Sequence, residues 1–280
     1  MTLPNFLGIG AQRAGSSWLD KQLRSHPKVY IPARRKEVHF FDRYYDRGLE
    51  WYQEFFPSAE RASQYRAIGE ITPMYIYHPD MPARIQKHMP DCKFIAILRN
   101  PADRAYSHYN LMVRGINEQR SFDKILKEYP KVYARGLYSE QLERYLRYFP
   151  RKNMLVLIFE HIKSDSESVL HQIAEFLSID ASKFKNDLVE KKVNVSSLPR
   201  FPRARAMAIR FRGFLWRKDL DWVVNVFRAM GARHLFGNRG SMPPMSPDMR
   251  ATLLAKYEPD IASLEELLKK DLSLWTKPPN

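Results

Sequence analysis

Residues 6–19, read as Phe6-Leu7-Gly8-Ile9-Gly10-Ala11-Gln12-Arg13-Ala14-Gly15-Ser16-Ser17-Trp18-Leu19, join a short apolar run to a helix-like stretch through a turn bounded by two glycines. A strand that turns tightly into a helix leaves the first backbone N–H groups of that helix unpaired, and together with the macrodipole they favour an anion in front of them. Gly10 and Gly15 let such a turn approach the anion with no Cβ in the way. The segment is a candidate phosphate cradle; a βα turn without a ligand is the alternative on these residues alone. Compared with the kinase-type loop, G-x-x-x-x-G-K followed by Ser or Thr, it keeps both glycines and the final hydroxyl at Ser17 but has Ser16 where the lysine belongs. The nearest cation is Arg13, inside the loop. The best later strand, Lys93–Leu98, ends in Arg99 and not in a carboxylate that could hold Mg²⁺ for an NTPase.

Strand-like runs at 5–9, 67–71, 93–98 and 154–159 alternate with helix-like stretches at 17–25, 81–89, 101–113, 137–149 and 166–177. That alternation predicts an α/β fold: a single domain, residues 1–280, with a central, mostly parallel β-sheet flanked by helices and a P-loop-like phosphate-binding loop. Asn100-Pro101 reads as an N-cap followed by proline at the first helical position, which sets Arg99 at the carboxyl edge of the sheet, where ligands bind in such folds. Residues 191–245 read differently, as a basic, proline-interrupted, lid-like region holding helices near 203–216 and 220–230. Met207, Phe211, Phe214 and Leu215 share one stripe of the first, with Arg203, Arg210 and Arg217 along one border. Such a stripe is expected to face the core; a lid, a groove wall or a membrane-surface contact are its alternatives. From 246 to 275 two packing helices are expected.

The chain carries a net charge of +15, and between Arg200 and Arg239 ten Lys or Arg stand against only Asp219 and Asp221. An anionic partner is implied, and charge alone does not choose among nucleic acid, acidic polysaccharide, membrane surface and polyphosphorylated nucleotide. A single cysteine, Cys92, excludes an internal disulfide and an all-cysteine metal site. The early loop and the lack of an 18-residue apolar run predict a cytoplasmic protein without a transmembrane segment.

Two further clusters carry chemistry. Arg34-Arg35-Lys36-Glu37-Val38-His39-Phe40-Phe41-Asp42 sets Glu37 and His39 two apart, so that both point the same way if the segment is extended. A glutamate beside cations is a candidate general base, and a solvated charge run is the alternative. In Leu98-Arg99-Asn100-Pro101-Ala102-Asp103-Arg104-Ala105-Tyr106-Ser107-His108-Tyr109, Arg99 and Ser107 are spaced to reach one anion, by charge and by hydroxyl.

With these three motifs in order, the chain resembles the sulfotransferases that use 3′-phosphoadenosine-5′-phosphosulfate (PAPS), particularly the branch of heparan sulfate sulfotransferases and their bacterial relatives. Residues 10–19 resemble the 5′-phosphosulfate loop, 36–42 the acceptor-activating segment and 98–109 the 3′-phosphate segment. Gly69-Glu70-Ile71-Thr72-Pro73-Met74-Tyr75 and Asp271-Leu272-Ser273-Leu274-Trp275 are similar to further family segments. The resemblance implies that Arg13 stands for the family's lysine at the bridging oxygen of the donor. It implies that Ala14, Gly15, Ser16, Ser17 and Trp18 hold the 5′-phosphate, and that Arg99 and Ser107, with Arg200 on a closing loop at 193–200, hold the 3′-phosphate. It makes Glu37 the general base, with His39 as its orienter or replacement. PAPS is then the donor and 3′-phosphoadenosine-5′-phosphate (PAP) the product, no metal is required, and the acceptor is a hydroxyl of an acidic glycan or a small molecule, with no nucleic acid expected. The alternatives are a Mg²⁺-dependent nucleotide kinase and a non-enzymatic binder of acidic glycan or nucleic acid.

Overall fold

The computed structural model describes residues 2–185, 200–230 and 242–276. Five strands, β1 (Phe6–Gly10), β2 (Val29–Tyr30), β3 (Ala67–Ile71), β4 (Lys93–Leu98) and β5 (Met154–Ile158), pair in the order β2-β3-β1-β4-β5, and every pairing is parallel. β1 and β3 are buried along their whole length, the pattern of parallel strands covered on both faces. From β1 the chain builds β2 and β3 to one side, then crosses to β4 and β5 on the other. The switch falls between β1 and β4, whose carboxyl ends open the crevice in which such sheets bind ligands.

Four of the strands lie where the sequence predicts them. β2 is only two residues long and leaves no periodicity to read. The helices Ser16–Ser25, Met81–His88, Pro101–Ile116, Tyr138–Leu146 and Ser166–Leu177 cover the sheet, and Pro202–Arg217 and Asp221–Ala229 lie in the basic region. Asn100 caps as expected: its Oδ1 accepts from the amides of Ala102 (3.0 Å) and Asp103 (3.2 Å).

Between 246 and 275 there is one long helix, Pro247–Leu268, with Pro259 inside it, and a short 3₁₀ turn at Ser273–Trp275, instead of two helices. Proline removes a helical donor and crowds the preceding turn. The helix continues because it is held on both sides of that point: Tyr257 donates to the Tyr133 carbonyl at 2.8 Å, and Asp260 accepts from the amides of Tyr138 (2.7 Å) and Ser139 (3.2 Å). Leu253, Ile261, Leu264 and Leu268 are buried along the same face.

The chain then returns to the sheet edge. Trp275 is fully buried; its carbonyl accepts from Asn100 Nδ2 at 2.8 Å, and its indole N–H donates to Glu160 at 2.9 Å. The other Glu160 oxygen accepts from the Asn100 amide at 3.1 Å. A residue near the end of the chain thus braces the cap that follows β4. Cys92 is buried, and burial pushes its thiol well up, so it is packing material. Among the described residues no helix is long and apolar enough to cross a membrane.

Trp275→Ala removes both the packing and the brace and is expected to cost about 3–5 kcal/mol of stability. A urea melt reads this as a lowered midpoint; an unchanged midpoint would mean that Trp275 braces nothing.

Candidate functional site

The loop after β1 enters the Ser16–Ser25 helix through Gly15, whose φ of 106° is disfavoured for any residue with a Cβ. Two of the five amides expected to face an anion are engaged inside the turn: Ala14 N–H donates to Ala11 O (3.2 Å) and Trp18 N–H to Gly15 O (2.9 Å). The amides of Gly15, Ser16 and Ser17 have no backbone partner among the described residues. Trp18 turns its side chain into the core. Gly10 is required for a different reason from the one read in the sequence. A Cβ there would lie 2.4 Å from Ile76 Cγ2, so the glycine makes room for Ile76 and not for the anion.

Arg13 joins two of the expected segments directly. Its Nε donates to Ser107 Oγ at 3.0 Å, and its carbonyl accepts from Arg99 Nη1 at 3.3 Å. Burial, followed by the nearby Arg114, Arg99 and Arg104, lowers the Arg13 guanidinium to about 10. His108 sits beside the same cations, and burial, then Arg135, Arg104 and Arg13, push its imidazole down to about 3. Arg135 donates to Gln12 Oε1 at 2.7 Å and Arg104 to the Val132 carbonyl. None of Arg13, Arg99, Arg104, Arg114 and Arg135 has a carboxylate partner among the described residues. Buried donors are left over as well: Arg99 Nε, Arg104 Nε and Nη1, and Arg135 Nε make no hydrogen bond. Buried cations and orphaned donors at one place are the complement of a multiply charged anion.

The second segment is no strand. His39 has φ 59° and stands at the N-terminus of the short helix Phe40–Arg43, yet the turn still brings Glu37 and His39 together. His39 Nε2 lies 3.3 Å from Glu37 Oε2 and its Nδ1 2.9 Å from Asp42 Oδ2. Carboxylates only accept, so a protonated imidazole placed between them is able to donate from Nδ1 to Asp42 and to face Glu37 with Nε2. Burial would lower the His39 pKa, but the hydrogen bonds that its ring donates to Asp42 and Glu37 outweigh it and raise the group. Burial likewise opposes the Glu37 charge, and His39, Lys36 and Arg43 together bring that carboxyl below its usual range.

Two partners here were not singled out from sequence. Asp42 closes the carboxylate–imidazole–carboxylate chain. Lys36 reaches back to the loop, its Nζ donating to Ser17 Oγ at 2.7 Å. It supplies a cation next to the position where the loop lacks its lysine. The only sequence signal was its place beside Glu37.

The segment rests on two frames. Fully buried Glu70, at the end of β3, accepts from Tyr75 (2.7 Å), Tyr52 (3.3 Å), Thr72 (2.6 Å) and the Val38 amide (3.4 Å), while Thr72 Oγ1 accepts from the His39 amide at 3.3 Å. On the other side Arg35 makes a bidentate, buried pair with Asp221 (2.7 and 2.9 Å), which Arg34 joins at 3.0 Å. This ties the start of the Asp221–Ala229 helix to the residues next to Glu37.

Of the expected donor contacts, Arg200 is set apart. It is exposed, its guanidinium 5.7 Å over the Phe201 ring, and it makes no hydrogen bond to Arg13, Arg99 or Ser107. Residues 193–199 of the expected closing loop lie outside the described residues.

The model of the family described as "Sulfotransferase domain" matches residues 3–207. Heparan sulfate glucosamine 3-O-sulfotransferase 6 of Mus musculus is 33% identical over 184 residues, covering 63% of this chain and 52% of that protein. Bifunctional heparan sulfate N-deacetylase/N-sulfotransferase 3 of Homo sapiens is 27% identical over 289 residues, covering 96% of this chain and 30% of that protein. The chain thus spans about half the length, or less, of these curated relatives. The crystal structure of a sulfotransferase from Alicyclobacillus acidocaldarius superposes with a TM-score of 0.67 at 28% identity, covering 99% of this chain and 100% of that one.

The charge state of His39 is directly measurable. Its ring protons, followed by NMR, are expected to titrate with a midpoint above the usual value of about 6.5, and Asp42→Asn should move that midpoint down. Because the folded pKa is raised, the associated stabilisation is present below the unfolded value and lost as pH rises through the folded one. A midpoint that ignores Asp42→Asn would remove Asp42 as its source.

Proposed function

The chain belongs to the sulfotransferase domain family, and from that premise we propose that it moves a sulfuryl group from PAPS to a hydroxyl of a glycan or small-molecule acceptor, without a metal and with Glu37 as general base. The observation that carries this reading is the set of buried and half-buried arginines around the loop, none ion-paired to a carboxylate among the described residues and several of their donors unused. A nucleotide with phosphate groups at both the 5′ and 3′ positions supplies the charge these residues lack.

In this reading the amides of Gly15, Ser16 and Ser17, with the two serine hydroxyls, hold the 5′-phosphate end. Arg99 and Ser107 hold the 3′-phosphate, and Arg13, bonded to Ser107, stands between the two. The donor supplies an activated sulfuryl group whose leaving oxygen belongs to the 5′-phosphate. Arg13 and Lys36 set fixed positive charge beside that oxygen, the electrostatic work a metal performs elsewhere. Lys36 has a second effect. By donating to Ser17 it holds the base segment against the loop, so that base and leaving-group cations keep one geometry.

Glu37 takes the proton of the acceptor hydroxyl as its oxygen forms the new bond to sulfur and the phosphate oxygen departs. His39, charged and held by Asp42, orients the Glu37 carboxylate through the 3.3 Å contact. An imidazolium has no lone pair to accept a proton, which favours Glu37 over His39 as the base.

The two bases predict different pH limbs. With Glu37, whose carboxyl lies below its usual range of about 4.3, kcat/KM stays flat as pH falls through 6 and drops only in the acid range. A neutral His39 as base would make activity fall below a midpoint higher than about 6.5. Glu37→Gln is expected to lower kcat at least about a thousandfold while PAP binding, followed by calorimetry, stays near the unsubstituted affinity. A variant with full turnover would transfer the role to His39. The same calorimetry run with and without chelator tests the donor: equal binding of PAP supports the proposal, Mg²⁺-dependent binding of ATP supports a kinase, and no nucleotide binding supports a glycan or nucleic-acid module.

A further inference from the structure

The stripe that the sequence assigns to the core faces solvent. On the Pro202–Arg217 helix, Met207 is 70%, Phe211 55% and Phe214 47% exposed, and only Leu215 of that set is buried. The helix turns its other side to the Pro101–Ile116 helix, so the stripe is the outward one. The Asp221–Ala229 helix presents a second apolar face with Trp222 66%, Val226 48% and Phe227 49% exposed. Of the eleven large apolar residues exposed among the described residues, eight lie between Phe201 and Met230, too concentrated for scattered surface residues.

The charges around this face have one sign. Residues 200–230 hold eight Lys or Arg and two acids, Asp219 and Asp221. Both acids are ion-paired: buried Asp221 with Arg34 and Arg35, and half-buried Asp219 with Arg47 and Arg34, Asp219 also accepting from the Trp51 indole N–H. Arg203, Arg210 and Arg217, seven apart, run as one exposed row beside Met207 and Phe214.

We propose that the exposed apolar sides of these two adjoining helices are a docking surface for an anionic lipid bilayer, with the aromatic and methionine side chains entering the headgroup boundary and the arginine row meeting lipid phosphates. The arrangement is that of an interfacial amphipathic helix, apolar in the middle and cationic at the border. The charge pattern argues against the other occupants. A second copy in a two-fold dimer would bring arginine row against arginine row. A sulfated glycan would engage the arginines and leave the apolar centre wet. The contact is peripheral, since no described helix is able to span a bilayer.

The test is co-sedimentation of the full chain with vesicles of phosphatidylcholine alone and with about a third of the lipid replaced by phosphatidylglycerol. Binding is expected only to the second kind and should weaken as salt is raised. The triple substitution Phe211→Ser, Phe214→Ser, Trp222→Ser and the charge reversal Arg203→Glu, Arg210→Glu should each lower partitioning about tenfold or more, with unchanged melting midpoints because all five side chains are exposed. Failure of the unsubstituted chain to bind anionic vesicles, or equal binding by both variants, overturns the proposal. So does a concentration-dependent dimer in sedimentation velocity that the triple substitution disperses, which would give the face to a second copy. None of these outcomes bears on the donor site, which the PAP measurement tests separately.

Discussion

The crevice at the carboxyl ends of β1 and β4 is organised around a repulsion: five arginines, Arg13, Arg99, Arg104, Arg114 and Arg135, gather around it, and none of them is ion-paired to a carboxylate among the described residues. Their contacts inside the protein are mostly neutral acceptors. Arg99 donates to the Arg13 carbonyl, Arg104 to that of Val132, Arg114 to that of Asn110 at 3.1 Å, and Arg135 to the Gln12 side chain. Neutral acceptors fix the direction of a guanidinium but leave its charge uncancelled, so the positive potential persists where the loop amides also point. Burial lowers the Arg13 and His108 pKa values first, and the neighbouring arginines add to the same direction. A multiply charged anion would relieve that positive potential.

Opposite this field stands a carboxylate chain seated by another buried acid. Glu70 carries no part of the reaction proposed for Glu37, and burial raises its own pKa. It collects two tyrosine hydroxyls, a threonine hydroxyl and the Val38 amide. An acid that accepts four hydrogen bonds at the end of β3 turns a loop into a fixed support. His39 can hold a left-handed backbone conformation there because its amide is anchored on Thr72 and its ring on Asp42.

Local sequence carried the elements whose signals are local. The β1–loop–helix unit, the Asn100 cap and the position of Arg99 at a strand end all follow from patterns within a few residues. What stayed hidden depends on distant partners. Asp221 lies 186 positions from Arg35, and nothing near either residue announces the pair. Lys36 on Ser17 spans 19 positions across two elements. The helix through Pro259 reads as a break unless the packing that holds both halves is known. Periodicity likewise identified the stripe at Met207, Phe211 and Phe214 but not which side of it is covered, because an amphipathic pattern says only that two faces differ.

The two acids of the 200–230 stretch connect these themes. Without their arginine partners, Asp219 and Asp221 would interrupt the basic face and leave Arg35 and Arg47 unpaired beside the candidate base, and Arg34 with Glu54 alone. Paired as they are, they neutralise those arginines and fasten the two helices to residues 34–51, while Arg35 lies between the rings of Tyr44, Trp51, Phe55 and Trp216. Removing one partner of such a buried pair strands the other charge, at a cost of about 3–5 kcal/mol. The ion pairs that seat the segment carrying Glu37 are therefore the same ones that neutralise the two acids of this stretch and leave its remaining charge cationic. The charge of that face and the placement of the candidate base are set by one group of residues, and a change at Asp221 alters both.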